Sequence, residues 1–221
     1  EADEENQAAV MIIKEVENVR VVNMTLTGGS SEGHGCTGGG GLLITANDMW
    51  NLDGGTTITD VEIENVNIQG NYSFNGAGLS LMRVSGVDLK NVIIDQNTAI
   101  HYGGGLFAWS SIGTMTNVSI TKNTTIAPFP FSTGVAAFIK NSTITMKRCH
   151  IADNSSETAF NTVDVDSSTV TIINSNIVRN TVDGGAGIIS YNSGYFLIVN
   201  SIIYDNEQIT EDFGGYGILP N

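Results

Sequence analysis

Positive charge is scarce in this 221-residue sequence: Lys and Arg total 9 against 23 Asp and Glu, a formal net charge of −14. A surface of that sign repels phosphate backbones and anionic lipid faces, so nucleic acid is excluded as a partner. No apolar run approaches the ~20 residues a membrane helix needs, so no membrane insertion by this segment is expected. Cysteine is limited to Cys36 and Cys149, too few for a disulfide framework. A sustained 3.6-residue period is missing as well, which sets aside a helical solenoid. Charged residues make up only 14% while 41% are hydrophobic, a balance that rules out a disordered acidic tail. Proline occurs 3 times and glycine 26 times. Gly and Asn tolerate left-handed backbone, so their abundance between short Val and Ile segments reads as brief strands joined by many tight corners. The sequence opens without Met and without a signal-peptide pattern over Glu1–Lys14, so residues 1–221 are expected to be one domain excerpted from something longer.

An internal repeat decides the fold. The segments NVNIQGN (65–71), NVIIDQN (91–97), NVSITKN (117–123), RCHIADN (148–154), NSNIVRN (174–180) and NSIIYDN (200–206) end in Asn at 71, 97, 123, 154, 180 and 206. The steps are 26, 26, 31, 26 and 26, the long one absorbing a loop insertion at Ile126–Phe131. An earlier copy, NMTLTGG (23–29), lies 42 residues ahead of the second, with insertions at Ser30–Gly40 and Asn47–Thr57. Each copy carries three short apolar segments. The first recurs as Val10–Ile13, Leu42–Ile44, Leu79–Leu81, Leu106–Ala108, Val135–Phe138, Val163–Val165 and Ile188–Ser190. Three strands per repeat, each too short for an independent sheet, suit a coil whose rungs stack at ~4.8 Å. The expected fold is all-β: a parallel β-helix, right-handed, of about seven rungs of ~26 residues, a rod on the order of 35 Å long.

One asparagine column, Asn65, Asn91, Asn117, Asn174 and Asn200 (with Asn23 before it and Arg148 interrupting it), falls between the second and third apolar segments. A sharp corner there wants left-handed backbone, and stacked amides hydrogen-bond from rung to rung. Gly78, Gly105, Gly134 and Gly187 precede the first strand and are assigned to another corner.

The pairing of I-x-x-N with G-G-[AG]-[ILV], clearest at Ile94–Asn97 with Gly103–Leu106 and at Ile177–Asn180 with Gly184–Ile188, resembles the repeats of chlamydial polymorphic outer-membrane proteins and other autotransporter-like β-helix passengers. The resemblance runs from about residue 58 onward and implies an extracellular or cell-surface location. The sequence departs from the strict form, since Phe is absent from the first motif and Thr158–Val165 lacks the glycines.

β-Helices also include polysaccharide lyases and hydrolases, whose chemistry needs carboxylates with a His or a basic residue beside them. Gly33-His34-Gly35 resembles the G-H-G of polygalacturonases, but the companion Asp pair and the R-I-K signature are missing, and a Gly-rich loop accounts for it equally. Asp164 and Asp166 alternate with Val163 and Val165, so both carboxylates point outward, with Asp153 or Asp183 at neighbouring corners. That cluster is the one candidate for a cofactor, calcium; a solvated acidic face is the preferred reading. Arg148 and Arg179, the basic groups a lyase would need, lie at corners.

Six N-x-[ST] sequons occur, at Asn23, Asn71, Asn117, Asn123, Asn141 and Asn154, and Asn141, off the asparagine columns, is the preferred glycosylation site. Thr-x-Thr pairs at 143–145 and 169–171 share a register, but their neighbours break any flat array. Cys36 and Cys149 lie several rungs apart, beyond disulfide reach. Trp50, Trp109, Tyr102, Phe129 and Phe131 suit either sugar stacking or loop packing. With no catalytic constellation assigned, the expectation is a noncatalytic extracellular rod of structural or adhesive type, with copies of itself, flanking chain or glycans as partners. The alternative is an enzyme acting on acidic glycans, or a carbohydrate-binding module.

Overall fold

The computed structural model describes residues 8–31, 38–46, 57–127, 133–183, 185–192 and 194–209. Within them every paired strand is parallel, and each rung lies on the one before it. One rung shows the pattern. Its first side is Leu106–Trp109, its second Ile112–Thr116, its third Ser119–Thr121 and its fourth the short Thr124–Thr125.

First sides form a seven-stranded sheet in strict chain order: Met11–Lys14, Leu42–Thr45, Leu79–Met82, Leu106–Trp109, Ala137–Lys140, Asn161–Asp166 and Gly185–Tyr191. Second and third sides merge into one twelve-stranded sheet, because Val19–Thr27 and Ile58–Gln69 run through the corner between them without a break. Fourth sides make two small sheets, one ending at Thr124–Thr125 and the next beginning at Ser155–Ser156. Among the described residues no helix is long and apolar enough to cross a membrane.

Period-2 alternation drives one residue in two into the coil. The inward column Ile68, Ile94, Ile120, Ile151 and Ile177 is buried throughout, and so is the column Leu42, Leu79, Leu106, Ala137 and Val163. Together with their neighbours they form one continuous apolar core.

The corners share a device: one residue in left-handed backbone followed by one that points inward. The expected column uses it, with positive φ at Asn23, Asn65, Asn91, Asn117, Arg148, Asn174 and Asn200. Its amides link on the outside, Nδ2 of Asn65, Asn91 and Asn117 donating to Oδ1 of Asn23, Asn65 and Asn91 at 3.1, 3.1 and 2.7 Å. Past Arg148 the ladder resumes, Asn200 donating to Asn174 at 2.6 Å.

The same backbone recurs where no Gly or Asn announces it, at Gln96, Lys122, Asp153, Arg179 and Asp205. The following residue there is always the final Asn of the repeat, and it points inward. Asn71, Asn97, Asn123, Asn154 and Asn180 are buried; Oδ1 of the last four accepts both the backbone N–H and the side-chain amide of the preceding rung's Asn, and Asn71 Oδ1 accepts the Gly29 N–H. The second proton of each Nδ2 goes to a carbonyl of an earlier rung, Ile94 O for Asn123. Two shorter ladders repeat the plan with hydroxyl or thiol groups. In one, Ser111 and Ser142 N–H donate to Ser142 and Ser168 Oγ; in the other, Cys149 and Ser175 N–H donate to Ser175 and Ser201 Oγ.

The glycines before the first strand split into two columns. Gly78 and Gly105 sit where a Cβ would meet an isoleucine methyl at 2.5 or 2.6 Å and the next rung's carbonyl. Gly134 does not join them: it stands two positions earlier, with Gly76 and Gly103 at positive φ, and Ala136 takes the close-approach position.

Candidate functional site

Asp164 and Asp166 lie on the outer face of the seven-stranded sheet. Two outward columns cross it. The first reads Leu43, Ser80, Phe107, Phe138, Asp164 and the second Thr45, Met82, Trp109, Lys140, Asp166. Phe107 and Phe138 stack with centroids 5.6 Å apart and planes 12° from parallel, Tyr102 lies 4.9 Å from Phe138, and Lys140 Nζ sits 5.8 Å over Trp109. Trp109 and Tyr102 are thus packing partners in one aromatic cluster.

Both acidic residues point out of the coil, but the expected solvated acidic face does not exist. Asp164 is 3% exposed and Asp166 8%. The Thr133 hydroxyl donates to Asp164 Oδ2 at 2.6 Å and the Asn161 amide donates to the same oxygen at 3.0 Å, while Oδ1 is buried without a hydrogen-bond partner among the described residues. Burial pushes the Asp164 carboxyl up to about 6, against the opposing pull of those two donors. Asp166 is buried too, but Lys140 Nζ at 2.8 Å, the Asn192 amide at 2.8 Å and the Ser167 hydroxyl at 3.0 Å outweigh that cost and hold its carboxyl below the usual range. Alternation told which way the carboxylates face; nothing local told that other segments cover them.

Calcium fits this pair poorly. The groups around the carboxylates are donors and one ammonium, where calcium needs six or more oxygens. Among the described residues no three His, Cys, Asp or Glu side chains are arranged to hold a metal. Asp153 does not approach: Arg179 binds it in a fork at 2.8 and 2.9 Å across one rung, holding its carboxyl below the usual range. Asp183 and Arg148 also lie off this face, on the fourth side and at a corner.

The six sequons separate by burial. Asn71, Asn123 and Asn154 spend their amides in the internal ladder, so a glycan on any of them is incompatible with the fold and they are withdrawn as modification sites. Asn23 and Asn117 are exposed but linked in the outer ladder. Asn141 is exposed at a left-handed corner, with no hydrogen bond to its amide among the described residues. Cys149 is a free, buried thiol within 3.6 Å of the Met115 carbonyl, and burial raises its pKa, which makes it unreactive. His34, Cys36, Trp50, Phe129 and Phe131 lie outside the described residues. His101 packs on Phe74 at 4.4 Å.

A coil of short parallel strands with asparagine ladders inside and outside defines a parallel β-solenoid. Residues 59–219 match the family described as the right handed beta helix region, and the chain belongs to that family. No curated protein matches the chain.

Proposed function

We propose that this chain is a noncatalytic rod that acts outside the cell as a structural or adhesive element, of the kind the polymorphic outer-membrane and autotransporter-like repeats suggest. One observation carries the reading. The carboxylates best suited to acid–base chemistry, Asp164 and Asp166, are buried on the outer face of the seven-stranded sheet, Asp164 hydrogen-bonded by Thr133 and Asn161 and Asp166 ion-paired with Lys140. A glycan lyase or hydrolase needs such groups within hydrogen-bond reach of its substrate.

Ile203 supports association with a further rung. It holds the inward place of Ile177 but is 40% exposed, so stacking chain above it, from the same molecule or another copy, would bury it. An outward apolar row on the same rung, Tyr195, Leu197, Val199, Ile202 and Tyr204, adds to the contact surface.

The enzyme alternative retains one favourable feature, the Asp164 carboxyl near 6, a value matched to proton transfer. Electron microscopy of the native material, paired with a polygalacturonate cleavage assay with and without calcium, separates the two. End-to-end rods with strands continuing across the junction and no cleavage are expected. Isolated particles that cleave the polymer would overturn the proposal.

A further inference from the structure

Strand pairing on the fourth side fails at one place. The short strands pair in sequence from Ser30–Ser31 to Thr124–Thr125, and again from Ser155–Ser156 to Glu207–Gln208, but the two sheets do not join. Across the gap run the internal ladder, a bond from Ser155 N–H to the Asn123 carbonyl at 3.1 Å, and one from the Ser156 hydroxyl to the Thr125 carbonyl at 2.6 Å. Ser156 also accepts the Thr158 and Ala159 N–H groups, which folds the chain away from the next strand position. A groove of about 500 Å³ opens along the break, within the size range of small-molecule sites.

Its lining has a definite chemistry. The hydroxyl residues Thr124, Ser155 and Thr181 occupy equivalent places on three successive rungs, about 4.8 Å apart, and Thr158 adds a fourth. Glu157 is the single charged group among the described lining residues. Ile126 and Ile209, both about half exposed, are placed three rungs apart and close the two ends.

We propose that this groove is a subsite for an uncharged saccharide, which deepens the adhesive reading and rests on it. Hydroxyls on neighbouring rungs donate to and accept from sugar hydroxyls, the Glu157 carboxylate accepts one or two more, and the isoleucine side chains cover the C–H faces of the rings. A uronate would meet Glu157, the one charged group among the described lining residues, on a chain already at −14, so a neutral ligand is favoured over an acidic glycan. The groove lies on the fourth side, which leads directly into the first side that carries Asp164 and Asp166: it takes a neutral ligand where those residues would have served an acidic one.

The test is methyl NMR of the full chain titrated with neutral tetrasaccharides of β-linked glucose, mannose and galactose, and with tetragalacturonate. At least one neutral probe is expected to shift the Ile126 and Ile209 methyls in a saturable way below about 10 mM, and tetragalacturonate to leave them unmoved. Thr181→Arg, which fills the groove, should weaken that binding by roughly tenfold or more. Glu157→Lys, at an exposed position, should lose the neutral probe and gain tetragalacturonate. Absence of shifts with every neutral probe, equal shifts with tetragalacturonate, or unchanged binding by Glu157→Lys would overturn the groove assignment. Release of new reducing ends in the same samples would instead overturn the noncatalytic reading, so the two failures are told apart.

Discussion

Two outer faces of the coil follow the same alternation and end in opposite environments. On the twelve-stranded sheet the outward residues meet water: Arg20 pairs with Glu62 at 2.9 Å, Lys90 with Asp88 at 2.6 Å, and Thr114, Thr145 and Thr171 continue the row. On the seven-stranded sheet the outward row is as dry as the core, with Phe107, Phe138 and Asp164 all buried. Strand period sets direction, whereas burial depends on what else lies over the strand. A carboxylate on the first face would be a solvated charge; on the second it becomes a buried group with a displaced pKa and no access to substrate.

The same contrast exists within a single residue type, and there the largest effect is expected. Asn123→Ala removes the acceptor for the Asn97 N–H and amide and the donor to the Ile94 carbonyl, leaving several buried groups unpaired, for a loss of about 4 kcal/mol in chemical denaturation. Asn117→Ala, in the exposed ladder with the same 26-residue spacing, should cost about 1 kcal/mol. Equal losses would erase the distinction between inner and outer ladders.

Next in size is truncation on the dry face. Phe138→Ala removes a ring stacked on Phe107 and should cost about 3 kcal/mol. Arg20→Ala on the wet face should stay within about 0.5 kcal/mol, since its ion pairs are exposed.

A pH effect of similar or smaller size follows from Asp164. Its carboxyl titrates near 6 when folded and near 3.8 when unfolded, so the folded state holds the extra proton between those values. The stability gained is fully present below about pH 3.8 and lost as pH rises through 6, up to about 3 kcal/mol. Asp164→Asn should flatten that part of the profile. The smallest effect is a modification: expressed in a host with glycosylation machinery, folded protein should carry glycan at Asn141 and none at Asn71, Asn123 or Asn154, as read by peptide mass spectrometry.

The rung length, the parallel stacking and most first-strand positions were legible in the sequence, because a coil repeats its apolar pattern at a fixed step; the segment expected at Val135–Phe138 begins two residues later, at Ala137. The outer asparagine column was legible too, since Asn is the residue that left-handed corners favour. Its inner counterpart was harder to see. Asn123 and its equivalents mark the period plainly, but their left-handed neighbours are Gln96, Lys122 and Arg179, which carry no turn signal, and their sequons suggested exposure. The groove at Thr124–Thr125 was not legible, because a break in pairing between two short strands leaves no trace in composition. The cover over Asp164 comes from chain distant in sequence, Thr133 among it, and alternation at 163–166 cannot report it.

The central claim, that the carboxylates of the seven-stranded sheet are closed off from substrate, is tested most directly by following the Asp164 side-chain carbonyl carbon by NMR through a pH titration. A midpoint near 6, with the resonance unaffected by added oligouronate, is the predicted result. A midpoint near the ordinary carboxylate value, or a shift on adding oligouronate, would mean that the face is open and would return the chain to the enzymes.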